Sequence, residues 1–283
     1  MDLEQATETI NILYFIIRND RSGQALIQTL AKKAREGGGV RLVYDDGGSF
    51  MTPMSFFKPL VEAGRIVVKH YPAKMKIFTL NWNYRNHRRI VVIDGKVGYM
   101  GGMNIGDEGE MVFLLQMRFL KDYFMVLEDE KEIKIIEKEL DLYFSPVTCE
   151  KKTAVQIVSD GLDHKTDHIR AAYIKLIMSA QDSILIQSPY FIPDSECLHV
   201  LKIASYSGVD IKIMLPIIPD NHFVHRTTTS YIKEWFEAGV EVDFYEGFLS
   251  LKIIVVDPQI CTIGSVNMDV RSFSINFEIS AFV

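Results

Sequence analysis

Apolar positions along this chain fall into short runs, separated by stretches in which they recur at helical spacing. Residues 10–17 form an apolar, β-branched run of strand length. A helix follows over residues 23–35, with Ala25, Leu26, Leu30 and Ala34 on one face, and Gly37-Gly38-Gly39 ends it. Residues 40–44 read as a strand, 53–62 as a helix stopped before Gly64, and 66–70 as a third strand. Residues 89–94 form a buried strand, the Asp94-Gly95 turn follows, and 97–100 is its partner. The same order then returns. Helices are predicted over 169–179, 196–205 and 228–238, and strands over 183–187, 211–215, 240–245, 253–256 and 261–263.

Strands alternating with helices predict an α/β fold with helices covering a sheet. The repeated order predicts two α/β/α sandwich halves, residues 1–146 and 147–283, packed as a pseudo-dimer. A charged helix over 128–143, apolar at Ile133, Ile136, Leu140 and Tyr143, would bridge them, with Pro146 at the boundary.

Within the repeat lies a second pattern. His87-x-Arg89, four residues, Asp94, six residues, then Gly101-Gly102-x-Asn104 recurs as Ser250-x-Lys252, four residues, Asp257, six residues, then Gly264-Ser265-x-Asn267. Residues two apart on a strand face the same side, so His87 points with Arg89 and Ser250 with Lys252. A neutral imidazole can attack phosphorus to give a phospho-histidine. A neighbouring cation and an Asn amide would neutralise and orient the non-bridging oxygens, and the glycines admit the backbone close to the phosphate. A second group must protonate the leaving alkoxide and then activate the acceptor. No metal or cofactor is needed. Both motifs are therefore expected on one phosphate cleft between the halves. Asp94 and Asp257 belong to the motif, but each precedes a turn, which favours support of the motif over contact with substrate.

Charge and composition narrow the function. The chain of 283 residues carries a formal charge of −6. That argues against broad nucleic-acid binding, which rests on many phosphate contacts. Local basic clusters remain: Arg85, Arg88 and Arg89 around His87, with Lys69, His70, Lys74 and Lys76 upstream. Cys149, Cys197 and Cys261 have no metal-ligand spacing, and their odd number fits reduced thiols. No apolar run reaches the roughly 18–20 residues that span a bilayer. Met1-Asp2-Leu3-Glu4-Gln5 has no basic n-region, so no secretory signal is expected. His222 and His225 read as surface loop histidines, and His164, His168 and His199 point to no site.

The double motif resembles that of the phospholipase D superfamily. Its flanks are similar to bacterial cardiolipin synthases: Tyr84-Arg85-Asn86-His87-Arg88, Gly101-Gly102-Met103-Asn104-Ile105-Gly106-Asp107-Glu108, Gln187-Ser188-Pro189-Tyr190-Phe191-Ile192-Pro193-Asp194, and Asn267-Met268-Asp269-Val270-Arg271-Ser272-Phe273 leading to Asn276-Phe277-Glu278. The resemblance implies transfer of a phosphatidyl group between two phosphatidylglycerol molecules, with release of glycerol. It implies anionic phospholipids as substrates, a membrane surface at the bacterial inner membrane, and no stable protein partner. Three departures stand out. Ser250 replaces the second histidine, and a hydroxyl is a poor proton donor near neutrality. Arg89 replaces the usual lysine. A strand bearing a carboxylate is missing after the first Gly-Gly-x-Asn, where the second copy has Glu278, a group expected to orient a histidine; Asp107, Glu108 and Glu110 are stand-ins. Three readings stay open: a phosphatidyltransferase impaired by Ser250, an inactive headgroup-binding relative, and a soluble phosphodiesterase or nuclease of the same superfamily.

Overall fold

A computed structural model describes residues 2–70, 84–107, 126–127, 145–148, 154–161, 167–218, 222–247 and 249–283. The helix expected over 128–143 lies outside the described residues, as do Lys74, Lys76, Glu108, Glu110, Cys149 and His164. The chain divides into two compact units, Met1–Leu142 and Tyr143–Val283.

The first unit is a mixed sheet. Its strands are β1 (Thr9–Tyr14), β2 (Gly39–Asp45), β3 (Ile66–His70), the short β4 (Arg85–Asn86), β5 (Ile90–Ile93), β6 (Val97–Met100) and β7 (Val126–Leu127). The order is β3-β2-β1-β5-β6-β7, with β3, β2 and β1 parallel and the rest antiparallel. The helix Arg21–Arg35 starts where the Asp20 side chain accepts the Gly23 N–H. It buries Ile27, Leu30 and Ala34 at helical spacing in a cluster with Ile10, Ile12, Val40 and Leu42. Gly37 closes it at φ 102°, a conformation that glycine adopts without strain.

The second unit repeats this design and extends it. Its strands are β8 (Ser145–Thr148), β9 (Ala154–Asp160), β10 (Ser183–Gln187), β11 (Phe191–Ile192), β12 (Asp210–Pro216), β13 (Glu241–Tyr245), β14 (Ile253–Val256), β15 (Ile260–Gly264), β16 (Met268–Asp269) and β17 (Asn276–Phe282). The main sheet runs β13-β12-β10-β14-β15-β17-β9-β8, again parallel through its first three strands. β13, β12, β10, β14 and β15 stand in the places of β3, β2, β1, β5 and β6. The helices His168–Ser179 and Ser195–Tyr206 contribute Tyr173, Leu176, Ile177 and Leu201 to a core with Ile184, Ile211, Ile213 and Trp235. The order of strands repeats from the first unit to the second, as an α/β fold in two repeats requires. No helix among the described residues is long and apolar enough to cross a membrane.

Two expected helices are broken. In place of 53–62 stand a 3-10 turn (Met54–Phe57) and a short helix (Lys58–Glu62). Pro59 has no N–H to give to the preceding turn, so one continuous helix cannot form. In place of 228–238 stand the helices His222–Ser230 and Ile232–Glu237. Thr229 and Ser230 turn their hydroxyls onto the carbonyls of Arg226 and Thr227, which competes with regular helix. His222 and His225 therefore sit on a helix rather than a loop. β17 alternates polar and apolar residues from Asn276 to Ala281, yet both faces are buried, so Asn276, Glu278 and Ser280 are polar groups inside the unit rather than a solvent face.

Each unit fixes its motif strand with one carboxylate. Asp94, at φ 54°, accepts the N–H groups of Thr7, Glu8 and Thr9 at 2.7, 2.7 and 2.8 Å. Asp257, at φ 48°, accepts those of Gln181, Asp182 and Ser183, each at 2.8 Å. Burial would raise the Asp94 carboxyl, but the three N–H groups outweigh it and hold the pKa down to about 2. The ordinary Asp value lies near 3.9, so this stabilisation is complete above roughly pH 4 and is lost as the pH falls toward 2. We expect Asp94→Ala to cost about 1–3 kcal/mol near neutrality and to flatten the acid limb of the stability curve, read by urea unfolding between pH 2 and 7. Asp94→Asn should cost less, because it tolerates the positive φ and keeps one acceptor.

Candidate active site

In the first unit the site is built around β4 and β5. Asp45, at the end of β2, is fully buried. It accepts the N–H of Asn86 and that of Gly48, both at 2.8 Å, and lies 3.9 Å from the Arg85 guanidinium. Burial pushes this carboxyl upward against those N–H groups and Arg85. Its effect is to pin the backbone one residue before His87. The buried His87 ring packs edge-on to Phe15, with centroids 4.7 Å apart.

Arg89 then gathers the motif. Its Nη2 lies 3.1 Å from His87 Nε2, its Nε donates to Asn104 Oδ1 at 2.9 Å, and its Nη1 donates to the His87 carbonyl. Its guanidinium also sits over Phe15, 5.4 Å from the ring centroid. A guanidinium carries donors only, so it can bond to Nε2 only when that nitrogen is unprotonated. The pairing therefore favours the tautomer unprotonated at Nε2, whose lone pair accepts the Arg89 N–H and must exchange that donor for phosphorus in order to react. Tyr14 belongs to this surrounding although sequence did not single it out: burial raises its phenol pKa, and the Arg89 charge opposes the rise.

In the second unit Ser250, Lys252 and Asn267 are all buried. Lys252 donates to the Ser250 carbonyl, just as Arg89 does to that of His87. A lysine has no fork, and the difference shows at the Asn. Asn104 Oδ1 is held by Arg89, whereas the buried Asn267 Oδ1 has no hydrogen-bond partner among the described residues.

Asp94 and Asp257 spend their carboxylates at the far ends of β5 and β14 on backbone N–H groups, as structural clamps. Other expected roles change. Gly264 and Ser265 do not offer a phosphate cradle. A Cβ on Gly264 would stand 2.3 Å from the Ile279 carbonyl oxygen, so glycine there lets β15 meet β17. The Ser265 hydroxyl donates to Glu278 and accepts the Ile279 N–H at 3.0 Å. A Cβ on Gly101 would meet nothing within 4 Å, so its flank is open, and Gly102 is buried beside it. Glu278 is fully buried and receives Ser265 Oγ and Asn276 Nδ2, the latter at 3.0 Å. Asp160 faces it across the β9–β17 ladder and accepts the Ile169 N–H at the start of a helix. Asp269 completes this acidic surrounding: burial pushes its pKa up to about 6, against the Ser272 N–H it caps. Cys197 is buried, and burial raises its thiol well out of the reactive range. Asp107 caps the start of the Arg21–Arg35 helix through the N–H groups of Arg21 and Ser22, so it is no stand-in for a histidine-orienting carboxylate.

The comparisons with known proteins bear on this geometry. The family model described as "Cardiolipin synthase, PLD-like domain" matches residues 1–142 and 173–283. The chain belongs to that family. A cardiolipin synthase of Listeria monocytogenes serotype 4b (strain CLIP80459) is 39% identical over 302 residues, covering 100% of this chain and 62% of that protein. The major cardiolipin synthase of Bacillus subtilis (strain 168) is 40% identical with the same coverage. The chain thus spans under two thirds of the length of these synthases. Among solved structures, phosphatidylserine synthase from Haemophilus influenzae Rd KW20 superposes with a TM-score of 0.68 at 13% identity, over 99% of this chain and 77% of that one. That likeness is one of fold.

The two glycines of equivalent motif position give a test. Gly264→Ala should cost about 1–3 kcal/mol, since strand backbone must move to admit the methyl group. Gly101→Ala should change stability by no more than about 0.5–1 kcal/mol. Thermal melting of the two variants beside the parent reads the difference.

Proposed function

We propose that this chain carries the catalytic core of a cardiolipin synthase-type phosphatidyltransferase. It would move a phosphatidyl group from one phosphatidylglycerol to the glycerol hydroxyl of another, at the bacterial inner membrane. The observation that carries this reading is the buried grouping of His87 Nε2, the Arg89 fork and Asn104 Oδ1. It places the His87 imidazole beside a fixed cation, which suits a tetrahedral phosphodiester.

In the first step His87 Nε2 attacks phosphorus. An N–P bond forms, the P–O bond to the leaving glycerol breaks, and that glycerol oxygen takes a proton from water, in place of the general acid that the second repeat lacks. In the second step the hydroxyl of another phosphatidylglycerol attacks, losing its proton as the new P–O bond forms and the N–P bond breaks. Arg89 and Lys252 balance the phosphate charge throughout, and the two Asn side chains orient it. In this reading both motifs, one in each of two repeats placed at 1–146 and 147–283, serve the same phosphate. Ser250 is the weak element, because it offers no group that exchanges a proton near neutrality. That residue also favours a second reading, a relative that holds phospholipid headgroups without turnover. The net charge of −6 weighs against a nuclease.

The test is cardiolipin formed from phosphatidylglycerol in detergent micelles, with a chelator present throughout. The parent should be slow, and Ser250→His should raise the rate by about 10²–10⁴-fold, the usual worth of general acid–base help. His87→Ala in the Ser250→His background should abolish the product and any acid-labile phospho-enzyme. A parent as fast as Ser250→His would show that serine is no defect. Headgroup binding without turnover in either form would favour the second reading.

A further inference from the structure

The end of each sheet that carries the motif also carries an exposed apolar loop. In the first unit β5 runs antiparallel to β1, so Ile90, just after His87 and Arg89, lies level with Leu13 near the end of β1. The parallel strand β2 ends on the same side, and the loop after it holds Phe50 and Met51, 75% and 67% exposed. In the second unit Ile253 lies level with Gln187 at the end of β10, and the parallel strand β12 ends there too. The residues after it, Ile217 and Ile218, are 48% and 58% exposed. Single exposed apolar side chains need no explanation. Here adjacent pairs occupy the same topological position in both repeats.

The first loop is held with its tip outward. Ser49 Oγ donates to the Phe15 carbonyl at 3.1 Å and accepts the Ile17 N–H at 3.0 Å, while Thr52 Oγ1 donates to the Ile17 carbonyl at 2.6 Å. These bonds close the base of the loop on either side of Phe50 and Met51. They also join it to the segment whose Phe15 ring touches His87. An apolar tip that is kept from folding inward is suited to burial in something else.

Local charge points to what that is. From Gly47 to Val61 the chain has no acidic side chain, although it is acidic overall. Arg18 reaches Met51 Sδ with Nη1 at 3.7 Å, and exposed Lys58, paired with Glu62 at 3.4 Å, lies beyond the tip. The neighbouring acid Asp46 is already paired with Lys69 at 2.8 Å. In the second unit Asp220 follows Ile217 and Ile218 in the sequence, and the helix His222–Ser230 after it carries Arg226 and no acid. Apolar tips with cations behind them match an anionic headgroup layer over an acyl region.

We propose that Phe50 with Met51, and Ile217 with Ile218, insert into an anionic phospholipid bilayer and hold the motif at its surface. This deepens the transferase reading and rests on it for the identity of the substrate. The test does not need turnover. The full chain is floated with vesicles of phosphatidylglycerol and phosphatidylethanolamine, and with neutral phosphatidylcholine vesicles, at low and at molar salt. The expected result is partition favouring the anionic vesicles and largely surviving salt. Phe50→Ser/Met51→Ser and Ile217→Ser/Ile218→Ser should each lower it about ten-fold or more. Phe236→Ser, at a residue 79% exposed on a helix elsewhere in the second unit, should leave it unchanged. In a separate variant, Phe50→Trp, the added tryptophan emission should shift to the blue on the anionic vesicles.

No partition by the parent, equal partition by the double variants, or an unshifted emission from the Phe50→Trp variant would each overturn the proposal. Concentration-dependent self-association that the double variants abolish would assign the loops to a second copy instead and would also overturn it. Turnover in micelles separates the two ideas. Vesicle binding by these loops in a chain whose Ser250→His form makes no cardiolipin would sink the transferase reading alone. Cardiolipin synthesis with vesicle binding indifferent to the loops would sink this one alone.

Discussion

The pairing of each motif strand with its central parallel strand governs the geometry of everything beside it. Side chains alternate faces with a period of two, so a one-residue slip of β5 against β1 would carry Arg89 to the opposite side of the sheet. Apolar strands alone resist such a slip weakly. Asp94 removes the ambiguity by receiving three successive N–H groups at the start of β1, and Asp257 does the same for β10 and β14. A carboxylate seven residues along the chain from His87, with the whole of β5 between them, thereby sets which way His87 and Arg89 face.

On this common frame the repeats have diverged where chemistry would occur. Arg89 ties histidine, carbonyl and amide together with one planar group. Lys252 keeps the fold-back onto the carbonyl two residues earlier and leaves the Asn267 amide oxygen without that bond. A fork organises its neighbours before a ligand arrives, whereas a point charge leaves more of the ordering to the ligand. The first repeat is thus the preorganised partner and the second the more dependent one.

Much of the frame was legible in sequence because its strands are short apolar runs closed by glycine or Asp turns. Residues 66–70, 97–100, 183–187 and 253–256 take the strand bounds that the pattern set. The spacing of His87, Arg89 and Asn104 was likewise visible, and the folded chain brings these three into contact. What escaped has identifiable causes. β17 alternates polar and apolar residues as a half-exposed strand would, but it is buried on both faces, and that burial of Glu278 and Ser280 has no signature in sequence. Asp45 sits on a distant strand and acts through the backbone of Asn86, a relation with no sequence signature. The role of Gly264 was misread because a glycine pressed against a strand and a glycine open to a ligand look alike in sequence.

That last contrast bears on how such motifs can be interpreted. Gly101 lies against open space, while Gly264 is confined by the backbone of Ile279 and Ser280, with Ser265 bonded to the same strand. In the second repeat, then, the Gly-Ser pair answers to packing whatever happens to the chemistry. Its presence would outlast the loss of a catalytic function, since replacing it would disturb the sheet. A complete-looking motif can therefore be an architectural relic as readily as a working site.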